Sequence, residues 1–183
     1  MLIGLTGPNA AGKGEVAALL VARRMAYHSL SDVLREELSR RGVAPSRENL
    51  IAVGNELRAT GGAGVLAEMI LPRLTGRDVV DSIRNPAEVE VLRRVPGFLL
   101  LGVDAPMEVR FSRAVARGRS GDGPTLEEFR AKEVVENSPD KTRQQLAATF
   151  AMADRTVRND GTLAQLGQRV DEVLAQLEMR EPA

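Results

Sequence analysis

With 183 residues and 43 % hydrophobic content, the chain can bury one sizeable core and is expected to form a single domain over residues 1–183. Lys and Arg number 25 against 25 Asp and Glu, which excludes the general positive field of a nucleic-acid binder and confines any basic site to a local cluster. The absence of cysteine and the single histidine, His28, exclude disulfides, thiolate catalysis and Cys- or His-rich metal clusters. No apolar run approaches the roughly 20 residues that span a bilayer, so a cytoplasmic protein without nucleic-acid or membrane partners is expected.

Residues 2–6, Leu-Ile-Gly-Leu-Thr, form an apolar run with no basic stretch ahead of it, which reads as a buried strand and not as a signal peptide. Residues 7–14 follow directly as Gly-Pro-Asn-Ala-Ala-Gly-Lys-Gly, and residues 15–24 continue in a helix-compatible pattern. A weak strand is expected at 25–29. Three helical patterns then follow one another at 32–40, 47–59 and 65–74, so residues 31–75 are expected as an all-helical insert that can move as a unit over the sheet edge. Further strands are expected at 77–82, at 97–103 and, short, at 155–158.

Pro106 suits a first helical turn after Asp104, with Val109, Ala114 and Val115 supplying part of an inner face. Residues 117–141 are charged, contain Gly118, Gly121 and Gly123, and restart a helix at a Thr125–Glu128 capping box. Such a glycine-flanked, arginine-rich segment reads as a mobile lid, the alternative being an exposed charged loop without a closing motion. Thr162 and Gln165 make a second capping box ahead of a last helix, where Leu163, Leu166, Val170, Leu174 and Leu177 recur at helical spacing. Strands alternating with helices imply an α/β fold, a five-stranded parallel sheet covered by helices as a three-layer sandwich.

The segment 7–14 carries the chemistry. Gly7, four residues, then Gly12-Lys13 is the spacing at which main-chain N–H groups converge on phosphate oxygens while the lysine reaches the terminal phosphates. Asn9, Ala10 and Ala11 complete the loop, and the helix that follows adds unpaired N–H groups and a positive dipole end. A glycine-rich turn with a solvated lysine is the bland alternative, against which stands the placement between a buried strand and a helix. The position after Lys13 usually carries a hydroxyl that binds Mg²⁺, yet here it is Gly14, followed by Glu15. Any metal must therefore be held differently, or not at all.

The order of phosphate loop, helical insert, Asp81-Ser82-Ile83-Arg84 at a strand end, strand and arginine-rich lid resembles the nucleoside monophosphate kinases and dephospho-coenzyme A kinase. Gly12-Lys13-Gly14 is similar to adenylate kinase, which also has glycine after the lysine, although a threonine usually follows there and Glu15 does here. Ser31-Asp32-Val33-Leu34-Arg35 resembles the adenylate kinase segment that opens the acceptor site. Residues 81–84 resemble the Asp-Gly strand end of that family, with serine in place of glycine and the arginine one place early. Residues 153–162 are closer to the end of dephospho-coenzyme A kinase, where the loop after the last strand, here Asn159 to Gly161, borders the base. Across the whole chain the resemblance is closest to a kinase-like group of P-loop proteins best known from archaea.

The resemblance implies transfer of the γ-phosphoryl of ATP, with Mg²⁺, to a nucleoside monophosphate or a dephospho-coenzyme A-like acceptor, so the partners expected are small nucleotide substrates. Phosphoryl transfer needs positive charge and alignment more than covalent chemistry. Lys13 is then expected to bridge the terminal phosphates, and Arg113 and Arg117, at i and i+4, to contact donor base and phosphates, with Arg119 following; a solvated arginine face explains them equally. Asp32 is a candidate base or acceptor-orienting group, or merely a charge at a helix start. Arg35 and Arg84 are candidate clamps for an acceptor phosphate, and Arg58 a further acceptor contact. Asp81, at a strand's carboxyl end, can hold Mg²⁺ through water, and Glu15 either faces away from the site or helps it do so. The alternative from another class is a catalytically silent ATP-binding regulatory module, which the missing hydroxyl at position 14 keeps open.

Overall fold

The computed structural model describes residues 1–118, 122–135, 137 and 139–178. In chain order these form β1 (Leu2–Thr6), α1 (Lys13–Ala22), β2 (Ala26–Ser29), α2 (Leu30–Arg40), α3 (Arg47–Gly61), α4 (Val65–Ile70), a 3₁₀ turn (Leu71–Arg73), β3 (Asp78–Asp81), α5 (Pro86–Leu92), β4 (Phe98–Asp104), α6 (Met107–Arg117), α7 (Leu126–Val135), α8 (Leu146–Ala151), β5 (Arg155–Arg158) and α9 (Leu163–Glu178). Among the described residues the five strands make one parallel sheet in the order β2-β3-β1-β4-β5.

β1 is buried along its whole length because the sheet is covered on both faces, which is why its sequence is an unbroken apolar run without polar alternation. Alternate residues still serve different layers. Ile3 and Leu5 join Leu99, Leu101 and Val103 against Val16, Ala17 and Leu20 of α1 and Leu166, Val170 and Leu174 of α9. Leu2, Val80 and Leu100 face the other way, onto Leu30, Val33 and Leu34 of α2, Val53 of α3, Leu66 and Ile70 of α4, and Val89 and Leu92 of α5. The result is the expected three-layer sandwich, with the helices of 31–75 on one face of the sheet.

The chain leaves β1 for one side of the sheet and returns to the other with β4, so β1 lies at the switch point where open α/β sheets bind ligands beyond the strands' carboxyl ends. The register puts Ser29 beside Asp81 and Asp104 beside Arg158, so the loops after β1, β2, β3 and β5 open onto one end of the sheet.

Three expectations on the elements are corrected. The helix expected at 65–74 stops at Ile70 and tightens into the 3₁₀ turn, because Pro72 has no N–H to donate and its ring crowds the carbonyl four residues back. Ala114 is buried in α6 as expected, but Val115 is 55 % exposed and Arg110 takes the other buried position. Leu163 is 58 % exposed at the start of α9, while Leu166, Val170 and Leu174 form the buried stripe as expected. The Thr162–Gln165 capping box closes with two bonds at 2.9 and 3.2 Å, and at the other expected box the Glu128 N–H donates to Thr125 Oγ1 at 3.2 Å. Arg119 and Gly121 of the expected lid lie outside the described residues.

Candidate functional site

The loop after β1 takes a path that only its own residues allow. Gly7 has φ +139°, and a β-carbon there would lie 2.1 Å from the Val103 carbonyl oxygen. Gly12, at φ +97°, caps α1, and a β-carbon there would lie 2.0 Å from Asn159 Nδ2. Asn159 is buried, donates from Nδ2 to the Ala11 carbonyl at 2.9 Å and accepts a long bond from Arg113 Nη2 at 3.4 Å. The Lys13 ammonium curls back over the loop and donates to the Gly7 and Pro8 carbonyls at 2.7 and 2.9 Å. A cation thus stands over a ring of main chain that opens into a helix N-terminus, an arrangement suited to bind an anion.

A cavity of about 1240 Å³ opens in front of this loop and runs to the helical insert. Asn9, Ala10, Gly12, Lys13, Gly14 and Glu15 form its wall on the loop side, together with Arg113, Arg117, Asn159 and Gly161. Arg35 and Arg58 of the insert, with Asp81 and Arg84 from the end of β3 and the turn after it, line the same cavity. Gly7 and Ala11 lie behind the wall, where they shape the loop. Asp32 does not line the cavity; its carboxylate is 2.5 Å from Arg35 Nη1 one helical turn on, so it orients that arginine from outside. Arg58 borders the cavity, but its Nε and Nη2 both donate to Glu88 Oε1, at 3.1 and 2.8 Å. Glu15 is exposed in the first turn of α1.

Asp81 ends β3 with its Oδ1 accepting the Ser82 N–H at 2.6 Å and its Oδ2 3.4 Å from the Tyr27 hydroxyl. Burial and then the Asp81 charge push the Tyr27 phenol up from its ordinary value. Ser82 adopts φ +68°, in the left-handed region where a serine carries strain, and its hydroxyl accepts from Ser29 at 3.3 Å. Among the described residues no group of three acidic or histidine side chains could hold a metal. One carboxylate in a cavity wall nonetheless fits Mg²⁺, which keeps several waters and takes its other ligands from phosphates. At Gly14 a β-carbon would meet nothing within 4 Å, so a hydroxyl side chain fits there. Gly14→Ser should raise unfolding free energy by roughly 0.3 to 0.5 kcal/mol through helix propensity alone, as read by urea denaturation; a loss of stability would show that the space is not open.

Arg47 and Asp122, absent from the expected set, complete the mouth, and a third residue missed, Arg110, is buried behind it. Asp122 is buried and accepts from Arg117 Nη2 at 2.7 Å, Asn9 Nδ2 at 2.9 Å and Arg47 Nη1 at 3.3 Å. Burial raises its carboxyl, but the bonds from Arg117 and Asn9 and the charges of Arg117 and Arg47 outweigh this, and it stays below the usual carboxylate range. Arg110 is buried between the loop and α7, donating to the Ala105 carbonyl at 3.0 Å and pairing with Glu133. A smaller cavity of about 390 Å³, lined by Met1, Phe98 and Leu177 among others, lies at the strands' amino ends, away from this chemistry.

No protein-family model matches the chain. It is 32 % identical over 188 residues to a UPF0200 protein of Methanosarcina barkeri, covering 100 % of this chain and 98 % of that one. It is 33 % identical over 184 residues to a UPF0200/UPF0201 protein of Archaeoglobus fulgidus, and spans 55 % of that longer chain. Among solved structures, TT1252 from Thermus thermophilus is 27 % identical with a TM-score of 0.59, covering 97 % of both chains. Shikimate kinase from Acinetobacter baumannii shares the fold at 13 % identity, with a TM-score of 0.63 over 98 % of this chain and 95 % of the other. Among the described residues no helix is long and apolar enough to cross a membrane.

Proposed function

Because the chain belongs to the UPF0200 family and has the fold of the P-loop kinases, we propose that it transfers the γ-phosphoryl of ATP to a small phosphorylated acceptor, a nucleoside monophosphate or a dephospho-coenzyme A-like molecule. The observation that carries this reading is one cavity lined by two sets of cations, Lys13, Arg113 and Arg117 from the loop side and Arg35 of the insert with Arg84 of the turn after β3. A single phosphate site needs only the first set. Two sets suit two anionic substrates brought into line, which is what phosphoryl transfer requires of a protein.

In this reading the amides of the loop and Lys13 bind the donor phosphates, Arg113 and Arg117 neutralise charge beside them, and Asn159 and Gly161 border the base. Arg35, oriented by Asp32, and Arg84 hold the acceptor phosphate. Asp81 would hold Mg²⁺ through water, and the ion when bound would offset charge on the transferring group. Purified protein incubated with ATP, Mg²⁺ and a panel of mononucleotides and dephospho-coenzyme A should form a phosphorylated product. Tight ATP binding with no product from any acceptor would favour the regulatory-module reading, which Gly14 supports by lacking the usual hydroxyl.

The two sets make separable predictions. Arg35→Ala should raise the acceptor KM about tenfold and leave ATP binding nearly unchanged, whereas Arg117→Ala should weaken ATP by a similar factor and spare the acceptor, since a hydrogen bond to a charged group is worth about 1.5 to 3 kcal/mol. Steady-state kinetics with both substrates varied measures this. Equal effects of both variants on both substrates would remove the two-site assignment.

A further inference from the structure

The ion pair between Arg58 and Glu88 is the most deeply buried one near the cavity, at 3 % and 0 % exposure. Arg58 stands in the last turn of α3 and Glu88 in the first turn of α5. Glu88 Oε1 takes the guanidinium, while Oε2 accepts the main-chain N–H groups of Arg84 and Asn85 at 2.8 and 3.1 Å. One carboxylate thereby joins the helical insert to the turn after β3. The same turn is gripped from the other side, where the Gln145 N–H donates to the Arg84 carbonyl at 2.9 Å and Asn85 Nδ2 donates to the Lys141 and Arg143 carbonyls at 2.8 Å each. It begins at Ser82, whose left-handed backbone persists only where the surroundings over-determine it.

We propose that Arg58 is a positioning residue: through Glu88 it holds the turn of residues 82–85, and with it the Arg84 guanidinium, in the orientation that meets an acceptor phosphate. This rests on the phosphotransferase reading and reassigns Arg58 within it. Arg58 is 3 % exposed with two of its five N–H donors on Glu88, so the group assigned to the acceptor here is the half-buried Arg84, whose Nη1 donates to Gln144 Oε1 at 3.3 Å. A buried carboxylate deprived of its cation takes up a proton or turns toward water. Either change weakens its hold on the two amides, and the strained turn is then free to relax. The insert and the segment at 141–145 meet at this turn, so the contact also sets how one follows the other when the cavity fills.

The test compares Arg58→Met with the double variant Arg58→Met/Glu88→Gln, in which the buried charge is gone but the amide oxygen of the glutamine can still accept from residues 84 and 85. Two quantities are read in the full chain: hydrogen exchange at the Arg84 and Asn85 amides, and the affinity for inorganic phosphate with the loop filled by Mg²⁺ and β,γ-imido-ATP. Arg58→Met should speed both exchanges and weaken phosphate by tenfold or more, and the double variant should return both to within threefold of the unmodified protein. Phosphate affinity lost alike in both variants, with the amides still protected, would show that Arg58 touches the anion itself and overturn the proposal. Unchanged exchange in Arg58→Met would overturn it as well. If the unmodified protein binds no phosphate, the acceptor reading fails and the purpose assigned to the turn fails with it, while the exchange rates report separately on whether Arg58 holds the turn. Should Arg58→Met not fold, Arg58→Lys keeps the charge without the two-pronged donor and should speed the same two exchanges severalfold; unchanged rates there would count against the proposal.

Discussion

Glu88→Ala should lower the unfolding free energy by about 3 to 5 kcal/mol, because it leaves the buried Arg58 guanidinium without a counter-charge and strips acceptors from the Arg84 and Asn85 amides at once. The size follows from the asymmetry of buried ion pairs, in which breaking the pair costs far more than the intact pair contributes. Glu88→Gln removes the charge but keeps an acceptor, so its cost should be clearly smaller. Urea denaturation of the two variants gives the comparison, and a Glu88→Ala loss below about 1 kcal/mol would mean that water reaches Arg58 and takes over its bonds.

Lys13→Ala should weaken ATP binding by about 10- to 150-fold, the equivalent of roughly 1.5 to 3 kcal/mol for a charge-assisted phosphate contact. The fold should survive. Lys13 is only partly buried, and bonds of its ammonium go to carbonyls of its own loop, so little packing is lost with it. Calorimetry on a variant with unchanged unfolding behaviour decides the matter. Undiminished ATP affinity would remove the phosphate-loop reading and everything built on it.

Much of the frame was legible because it rests on local signals. β1 and the loop after it announce themselves by an apolar run meeting glycines at fixed spacing, and β5 falls at 155–158 as expected. The strand expected from residue 77 starts at Asp78, an acid that belongs in the sheet because its side chain is buried and bonded to the Thr75 and Gly76 amides and to His28. Helix α5 was missed, although Asn85-Pro86-Ala87-Glu88 carries a capping box with proline at the first helical position, a start signal readable from sequence. The partners of Asp122 left no such trace. Asn9 is 113 residues away and Arg47 75, and nothing local marks an acid for contacts that only the closed fold creates. Arg58 shows the converse. Its type suited an acceptor clamp, and only the placement of Glu88 reveals that a carboxylate of the protein takes up much of its guanidinium.

The Asp122 carboxylate, seated among Arg47, Arg117 and Asn9, bears on the ionic-strength dependence expected of the proposed nucleotide binding. An anion entering an empty cluster of arginines displaces counterions, and its affinity falls steeply as salt rises. A phosphate bound as proposed and claiming these donors would displace an anion belonging to the chain itself, one negative charge giving way to another. The exchange is close to neutral in charge, and added salt has correspondingly little to compete for. Nucleotide affinity should then depend on ionic strength less than the number of arginines around the cavity suggests, and Asp122→Asn should restore the steeper dependence.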